Sequence, residues 1–194
     1  LYDNAQLVRL YTHAWQRTGD DRYRRVAART ADYLLRELRH PSGGFFSSQD
    51  ADSEGVEGKF FVWSWDELVA VAGEEVARHL GASPAGNWEG TNVLWTPRPA
   101  DPELHAMVEE ALPRLFEARE ARVHPATDDK VLAAWNGLAI SALAEAGRSF
   151  GEPRYTDAAL AAAGFVLEEL AGDQGRLLRS WREGRKGGPG YLDD

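Results

Sequence analysis

Two stretches of this chain align without a gap at an offset of 132 residues, and that repeat limits the fold more than any single motif. "NAQLVRLYTHAWQRTGDDRYRRVAARTADYLLREL" begins at Asn4 and "NGLAISALAEAGRSFGEPRYTDAALAAAGFVLEEL" at Asn136. Asn4 matches Asn136, Gly19 matches Gly151, Tyr23 matches Tyr155 and Gly43 matches Gly175. Apolar positions agree as well: Val8 with Ile140, Ala27 with Ala159, Leu34 with Val166. A shared apolar period, turn glycine and trailing glycine mark a duplicated supersecondary unit.

Each copy reads as a helical hairpin. Leu1, Ala5, Val8, Tyr11 and Trp15 recur at helical spacing, and so do Tyr23, Val26, Ala27, Thr30, Leu34 and Leu38. Gly19 supplies a left-handed residue after the first helix, and Asp20 or Asp21 an N-cap for the next. Gly151 and Pro153 stand in the same places in the second copy. After each hairpin comes a glycine and a short alternating run, "GGFFSS" and "GRLLRS", read as brief strands. Between the copies, Asp66 is expected to cap a helix to Leu80 and Asp101-Pro102 to open another to about Arg122. A short strand is expected over 93–96. Six helices in antiparallel pairs follow, near 2–18, 22–39, 66–80, 102–121, 131–149 and 154–171. The fold class is all-α.

If helices alternate up and down, every second connection lies on one face. That parity gathers the Asp3-Asn4 helix start, the loop "SSQDADSEGVEGKFFVWSW" from Ser47, "TDDKVLAAWN" from Thr127 and the terminal "YLDD" with Asp193 and Asp194. Nearly all the short acidic clusters fall on this face, where long loops on a rigid scaffold build sites. The expectation is a shared site in which Asp50 or Asp52 approaches Asp128-Asp129 at the start of the fifth helix, with Trp135 nearby.

Three chemistries compete for those carboxylates. Asp50, Asp52, Glu54 and Gly55 have the spacing of a calcium loop, but position twelve is Phe61 rather than a bidentate Glu, and position eight is Glu57. The five histidines show no ligand spacing, so no metal and no other cofactor are expected. Sugar hydrolysis or epimerisation needs an acid and a base across one bond or one carbon. Asp50, Asp52, Asp128 and Asp129 are the catalytic candidates. Trp63 and Trp135 would stack on a sugar ring, with Asp3, Asn4, Glu54, Lys130, Asn136, Asp193 and Asp194 as further contacts. Lys130 stands out because lysine occurs only at Lys59, Lys130 and Lys186 in a chain rich in arginine. The third reading is structural: Trp63 and Trp135 as core, Asp128-Asp129 as a cap, Asp50 and Asp52 as braces in a solvated turn. No G-x-S-x-G and no phosphate-binding glycine loop occurs.

Bulk properties exclude other classes. A net charge of −9 disfavours nucleic acid. There is no cysteine, hence no disulfide or thiol chemistry, and no apolar run long enough to span a bilayer. A cytoplasmic location is expected. Leu1 already sits in helical periodicity and Asp194 ends the chain on an acidic pair, so a fragment of a longer protein is expected.

"LYDNAQL", "GGFFSSQDADSEGVEGKFFVW", "TDDKVLAAWNGLAISALA" and "GPGYLDD" together resemble the spermatogenesis-associated protein 20 family, over essentially the whole chain. His124 departs from the arginine that relatives often carry before the proline. The resemblance implies a thioredoxin-like domain followed by an (α/α)6 toroid of the six-hairpin glycosidase type, similar to N-acylglucosamine 2-epimerase. Residues 1–194 would then be part of that toroid, truncated at both ends, with short β-hairpins in its long loops. Its partners would be the missing thioredoxin-like domain, the remaining hairpins and a sugar or sugar-derived small molecule. The alternative function is a non-catalytic binding or scaffold domain serving the thioredoxin-like module.

Overall fold

A computed structural model of the chain describes residues 1–96, 101–172 and 175–192. The chain divides into two compact units: Leu1–Gln49 with Thr127–Asp194, and Asp50–Ala126.

The first unit holds both copies of the repeat. Helix α1 spans Tyr2–Thr18 and α2 spans Asp21–Tyr33, prolonged by a π-helical turn over Leu34–Leu38. Their counterparts, which we number α6 and α7, span Ala133–Phe150 and Pro153–Glu169. The repeat extends to individual hydrogen bonds. Gly19 and Gly151 are left-handed at φ 70° and 69°, and each returns its N–H to the carbonyl four residues back, Trp15 and Gly147. Leu1 N donates to Ser47 O as Ala133 N donates to Arg179 O. Phe46 N donates to Leu38 O as Leu178 N donates to Leu170 O. Bridges Arg39↔Phe45 and Ala171↔Leu177 follow the same offset. Asp20 caps α2 by accepting from Arg22 N, and the Arg22 guanidinium pressed on the same carboxyl lowers its pKa to about 2.

The core of this unit is Val8, Leu34, Phe45, Leu143 and Tyr155, with alanines of α6 and α7 allowing close helix approach. A second cluster joins Val131, Phe165, Leu170 and Trp181. Helices α1 and α6 meet along a polar seam. Arg9 Nε lies 2.8 Å and His13 Nε2 3.0 Å from the Glu145 carboxylate, and Gln16 Nε2 donates to Ser149 Oγ at 2.7 Å. The His13 hydrogen bond, with Arg9 adding to it, holds the Glu145 carboxyl below its ordinary pKa against the opposing effect of burial.

Tyr155 is fully buried. Its hydroxyl donates to Asp32 Oδ1 at 2.7 Å, has Ala28 O within 3.2 Å, and accepts from Arg154 Nη2 at 2.9 Å. Burial first, and the hydrogen bond to Asp32 second, with the Asp32 charge adding to them, push the phenol well above the usual tyrosine range. A folded-state pKa raised above the unfolded value means that the contribution is fully present below about pH 10 and is lost as pH rises past it. Tyr155→Phe should cost about 1–3 kcal/mol at neutral pH. It should also remove part of the alkaline fall in stability, which urea titrations from pH 8 to pH 11 would read. An unchanged alkaline slope would refute the assignment.

The second unit contains α3 (Trp65–Ala72), α4 (Glu74–His79) and α5 (Pro102–Glu120), closed on Trp63, Leu68, Val76 and Leu115. Asp101 caps α5, accepting from Leu104 N. The single helix expected over 66–80 is two helices, broken at Gly73, and its cap is Ser64, which accepts from Glu67 N, rather than Asp66. No strand forms over 93–96. The pairing there falls earlier, as bridges Trp63↔Asn92 and Trp88↔Thr91.

Short strands complete each unit. In the first, β1 (Ser48–Gln49) pairs antiparallel with β4 (Thr127–Asp128), and β5 (Val131–Leu132), β6 (Ser180–Arg182) and β7 (Arg185–Lys186) form a second sheet. In the second, β2 (Asp52–Ser53) and β3 (Val56–Glu57) form a hairpin. Strand β5 overturns one expectation. Helix α6 starts at Ala133 with Leu132 at its N-cap and no side chain capping it, so Asp128 and Asp129 lie before a strand and do not cap a helix. Among the described residues, no helix is long and apolar enough to cross a membrane.

Candidate functional site

In the first unit, the loop ends of α1 and α6 are joined through Ser47. This residue is buried; it donates from N to Asp128 O and from Oγ to Lys130 O, and accepts on O from Leu1 N, at 3.1, 2.7 and 2.8 Å. One serine therefore ties the start of α1 to the "TDDK" run. Asp128 accepts from the Lys130 backbone N–H at 3.4 Å, and its other oxygen faces Lys130 Nζ at 3.1 Å. Asp129 faces β6. Arg182 Nε stands 2.6 Å from Asp129 Oδ1. That buried oxygen accepts no hydrogen bond, so the contact is one of charge, off the line of the N–H.

Trp135, half-buried in the first turn of α6, packs against Tyr2 of α1 with ring centroids 4.8 Å apart and planes tilted by 47°. Asp3 is exposed and Asn4 half-buried in the first turn of α1. Asn136 is different. It is fully buried, and its amide is consumed by the fold: Oδ1 accepts from Phe45 N at 2.8 Å, while Nδ2 donates to Phe45 O and Leu132 O at 3.0 and 2.9 Å. A substrate-binding role for Asn136 is therefore corrected to a clamp on the peptide of Phe45. Asp193 and Asp194 lie outside the described residues.

Asp50, Asp52 and Glu54 belong to the second unit. Asp50 donates from N to Ala126 O and accepts from Asp52 N at 3.3 Å, a local brace of the kind aspartate makes in turns. The calcium-like spacing resolves into a hairpin, with Asp52 opposite Glu57 and Glu54-Gly55 at its tip. Glu54 has φ 53° and pairs with Lys59 Nζ at 2.7 Å. Among the described residues, no three His, Asp or Glu side chains converge as a metal ion would require.

Trp63 is not a stacking platform. It is 3% exposed, and the Arg122 guanidinium covers its ring at 4.3 Å. Arg122 also donates to Phe60 O and Val62 O at 2.7 Å each and to Glu67 Oε1 at 2.9 Å. Sequence reasoning missed Ser47, Arg122 and Arg182. Arg122 had one signal, a cation just beyond a predicted helix end; Ser47 and Arg182 had none, because their partners lie 83 and 53 residues away.

Comparison with known proteins supports the motif reading. Human spermatogenesis-associated protein 20 is 32% identical over 96% of this chain and 29% of its own length, and the mouse protein gives the same values. The chain is homologous to a segment of spermatogenesis-associated protein 20. An uncharacterized Caenorhabditis elegans protein is 28% identical over 96% of this chain and 31% of its own length. The chain thus spans under a third of spermatogenesis-associated protein 20 and of the worm relative. No family model matches it. Among solved structures, D-mannose isomerase (92% of this chain, 44% of that one) and the cellobiose 2-epimerase of Spirochaeta thermophila DSM 6192 (97% and 45%) are each 14% identical, with a TM-score of 0.30. At that distance no residue of either can be laid on a residue of this chain.

Proposed function

We propose that the chain is a carbohydrate-handling domain and part of an (α/α)6 toroid, whose loop-face carboxylates act as acid and base on a sugar carbon or glycosidic bond. The observation that carries this reading is the Trp135–Tyr2 pair, Trp135 half-buried and Tyr2 exposed, at the helix ends where Ser47 bonds to Leu1 and to the backbone of Asp128 and Lys130 on either side of Asp129. An aromatic face takes the C–H side of a sugar ring, and a carboxylate beside it takes the hydroxyls. Asp129 and Asp128 are the acid/base pair in this unit, with Lys130 and Asp3 as contacts; Asp50 and Asp52 are candidates for the same chemistry in the second unit. The remaining hairpins and a thioredoxin-like domain are the proposed partners within the longer polypeptide.

The test is a panel of neutral sugars and uronates titrated into the protein, with the Trp135 indole N–H followed by NMR. A ligand should move that signal, and Asp129→Asn should weaken it by about tenfold or more, the value of a charged hydrogen bond. If no sugar moves the Trp135 signal, the reading fails.

A scaffold reading has one observation in its favour: Asp128 and Asp129 each face a cation of the same unit, Lys130 and Arg182. Under that reading Asp129→Asn lowers the melting temperature and no ligand responds.

A further inference from the structure

The second unit contains a cleft of about 460 Å³ between the β2–β3 hairpin, the start of α3 and the residues after α5. Its walls carry Glu54 and Lys59, Glu67 and Arg122, with Phe60, Val62 and Val123 between them. The size lies within the range of small-molecule sites.

The charges in this cleft are already matched. Lys59 Nζ is 2.7 Å from Glu54 Oε2, and Arg122 Nη2 is 2.9 Å from Glu67 Oε1. Arg122 is spent further on the Phe60 and Val62 carbonyls and on the Trp63 ring, so it is a wall and not a reader. The two carboxylates keep their second oxygens as acceptors, and the Lys59 ammonium has two N–H donors beyond its pair. An anionic ligand on the spare Lys59 donors would face the Glu54 and Glu67 carboxylates at close range, and a cationic ligand on the spare carboxylate oxygens would face Lys59 and Arg122. A neutral ligand meets no such repulsion. Its hydroxyls can accept from Lys59 and donate to Glu54 and Glu67 with both ion pairs intact, while its C–H groups lie against Val62 and the half-exposed Val123. We infer that this cleft is a binding site for a neutral polyhydroxy compound, a saccharide or alditol, with Glu54, Lys59 and Glu67 as its hydrogen-bonding groups.

The left-handed backbone of Glu54 is not part of the case. Glu89-Gly90 and Glu183-Gly184 form turns with the same pair of positive φ values, so Glu-Gly is this chain's ordinary way of making a tight hairpin turn.

This site lies within the second unit and is read by different nuclei from the Trp135 face, so each can fail without the other. Isotopically labelled protein would be titrated with cellobiose and with glucitol, and in parallel with glucuronate and glucosamine as charged controls. The expected result is a saturable shift of the backbone amides of residues 53–62 and 122–123 by a neutral probe, with both charged probes weaker. The double variant E54Q/K59M removes the pair without changing net charge. Both side chains are about half exposed, so its melt should match the parent. Neutral-probe affinity should fall about tenfold or more. Absence of shifts at those amides with both neutral probes, equal or stronger response to glucuronate or glucosamine, or unchanged affinity in a folded E54Q/K59M would each overturn the proposal. Should that variant melt early, the comparison of neutral with charged probes on the parent protein decides alone.

Discussion

Asn136→Ala is expected to lower the melting temperature by about 10 °C, the largest effect of any single polar substitution in the first unit. Alanine leaves the N–H and C=O of the fully buried Phe45, and the C=O of the half-buried Leu132, without their side-chain partner. Buried groups stranded in this way cost about 1–3 kcal/mol each, and a partly relaxed total of about 3–5 kcal/mol follows. Asn136→Asp separates the clamp from mere bulk. The carboxylate can accept from Phe45 N but has nothing to donate to two carbonyls, and burial raises its pKa. A group raised in the folded state stabilises only when protonated, so this variant should gain stability as pH falls from 7 towards 5 while the parent does not. Equal melts for Asn136→Ala and the parent would end the clamp argument.

Gly43→Ala should cost about 2–5 kcal/mol, while the same change at its repeat mate Gly175 should cost about 1 kcal/mol. Both glycines have positive φ, 114° and 74°. A Cβ on Gly43 would stand 2.7 Å from Ala161 O and 3.0 Å from its carbonyl carbon, backbone atoms of α7 that have nowhere to go; a Cβ on Gly175 meets nothing within 4 Å. The repeat thus supplies its own control, with the same turn position, one copy packed under a helix and the other open. Thermal melts of the two variants check it, and matched losses would show that backbone conformation alone sets the cost.

Much of the fold was legible in the sequence because its signals are local. Helical periodicity, Gly19, Gly151 and the Asp20 cap each act within a few residues, and the hairpins they predict are present. The failures involve distant partners. Asp129 followed by an apolar run reads as a helix start, but Val131 pairs with Trp181 fifty residues on, and that ladder takes two residues from the helix. Trp63 among carboxylates reads as a sugar platform, but Arg122, 59 residues later, occupies its face. Asn136 was visible as a repeated polar residue. Its burial could have been read from register, since Ala133, Asn136, Ala139 and Leu143 lie on the inward stripe of α6. Of the acidic residues, spacing located the loops but not the Lys130, Arg182 and Lys59 cations that each faces.

The ladder between β1 and β4 governs how the chain can vary in length. The polypeptide leaves the first unit at Gln49 and re-enters at Thr127, and those two residues are register partners in adjacent strands. Loop-closure entropy grows only logarithmically, so doubling the excursion between two such anchored points costs about 0.6 kcal/mol. The hydrogen bonds that the two hairpins share at an offset of 132 are blind to what lies between the anchors. That offset therefore records how much chain the doorway happens to carry, and the scaffold would accept a longer or shorter passenger at small thermodynamic cost.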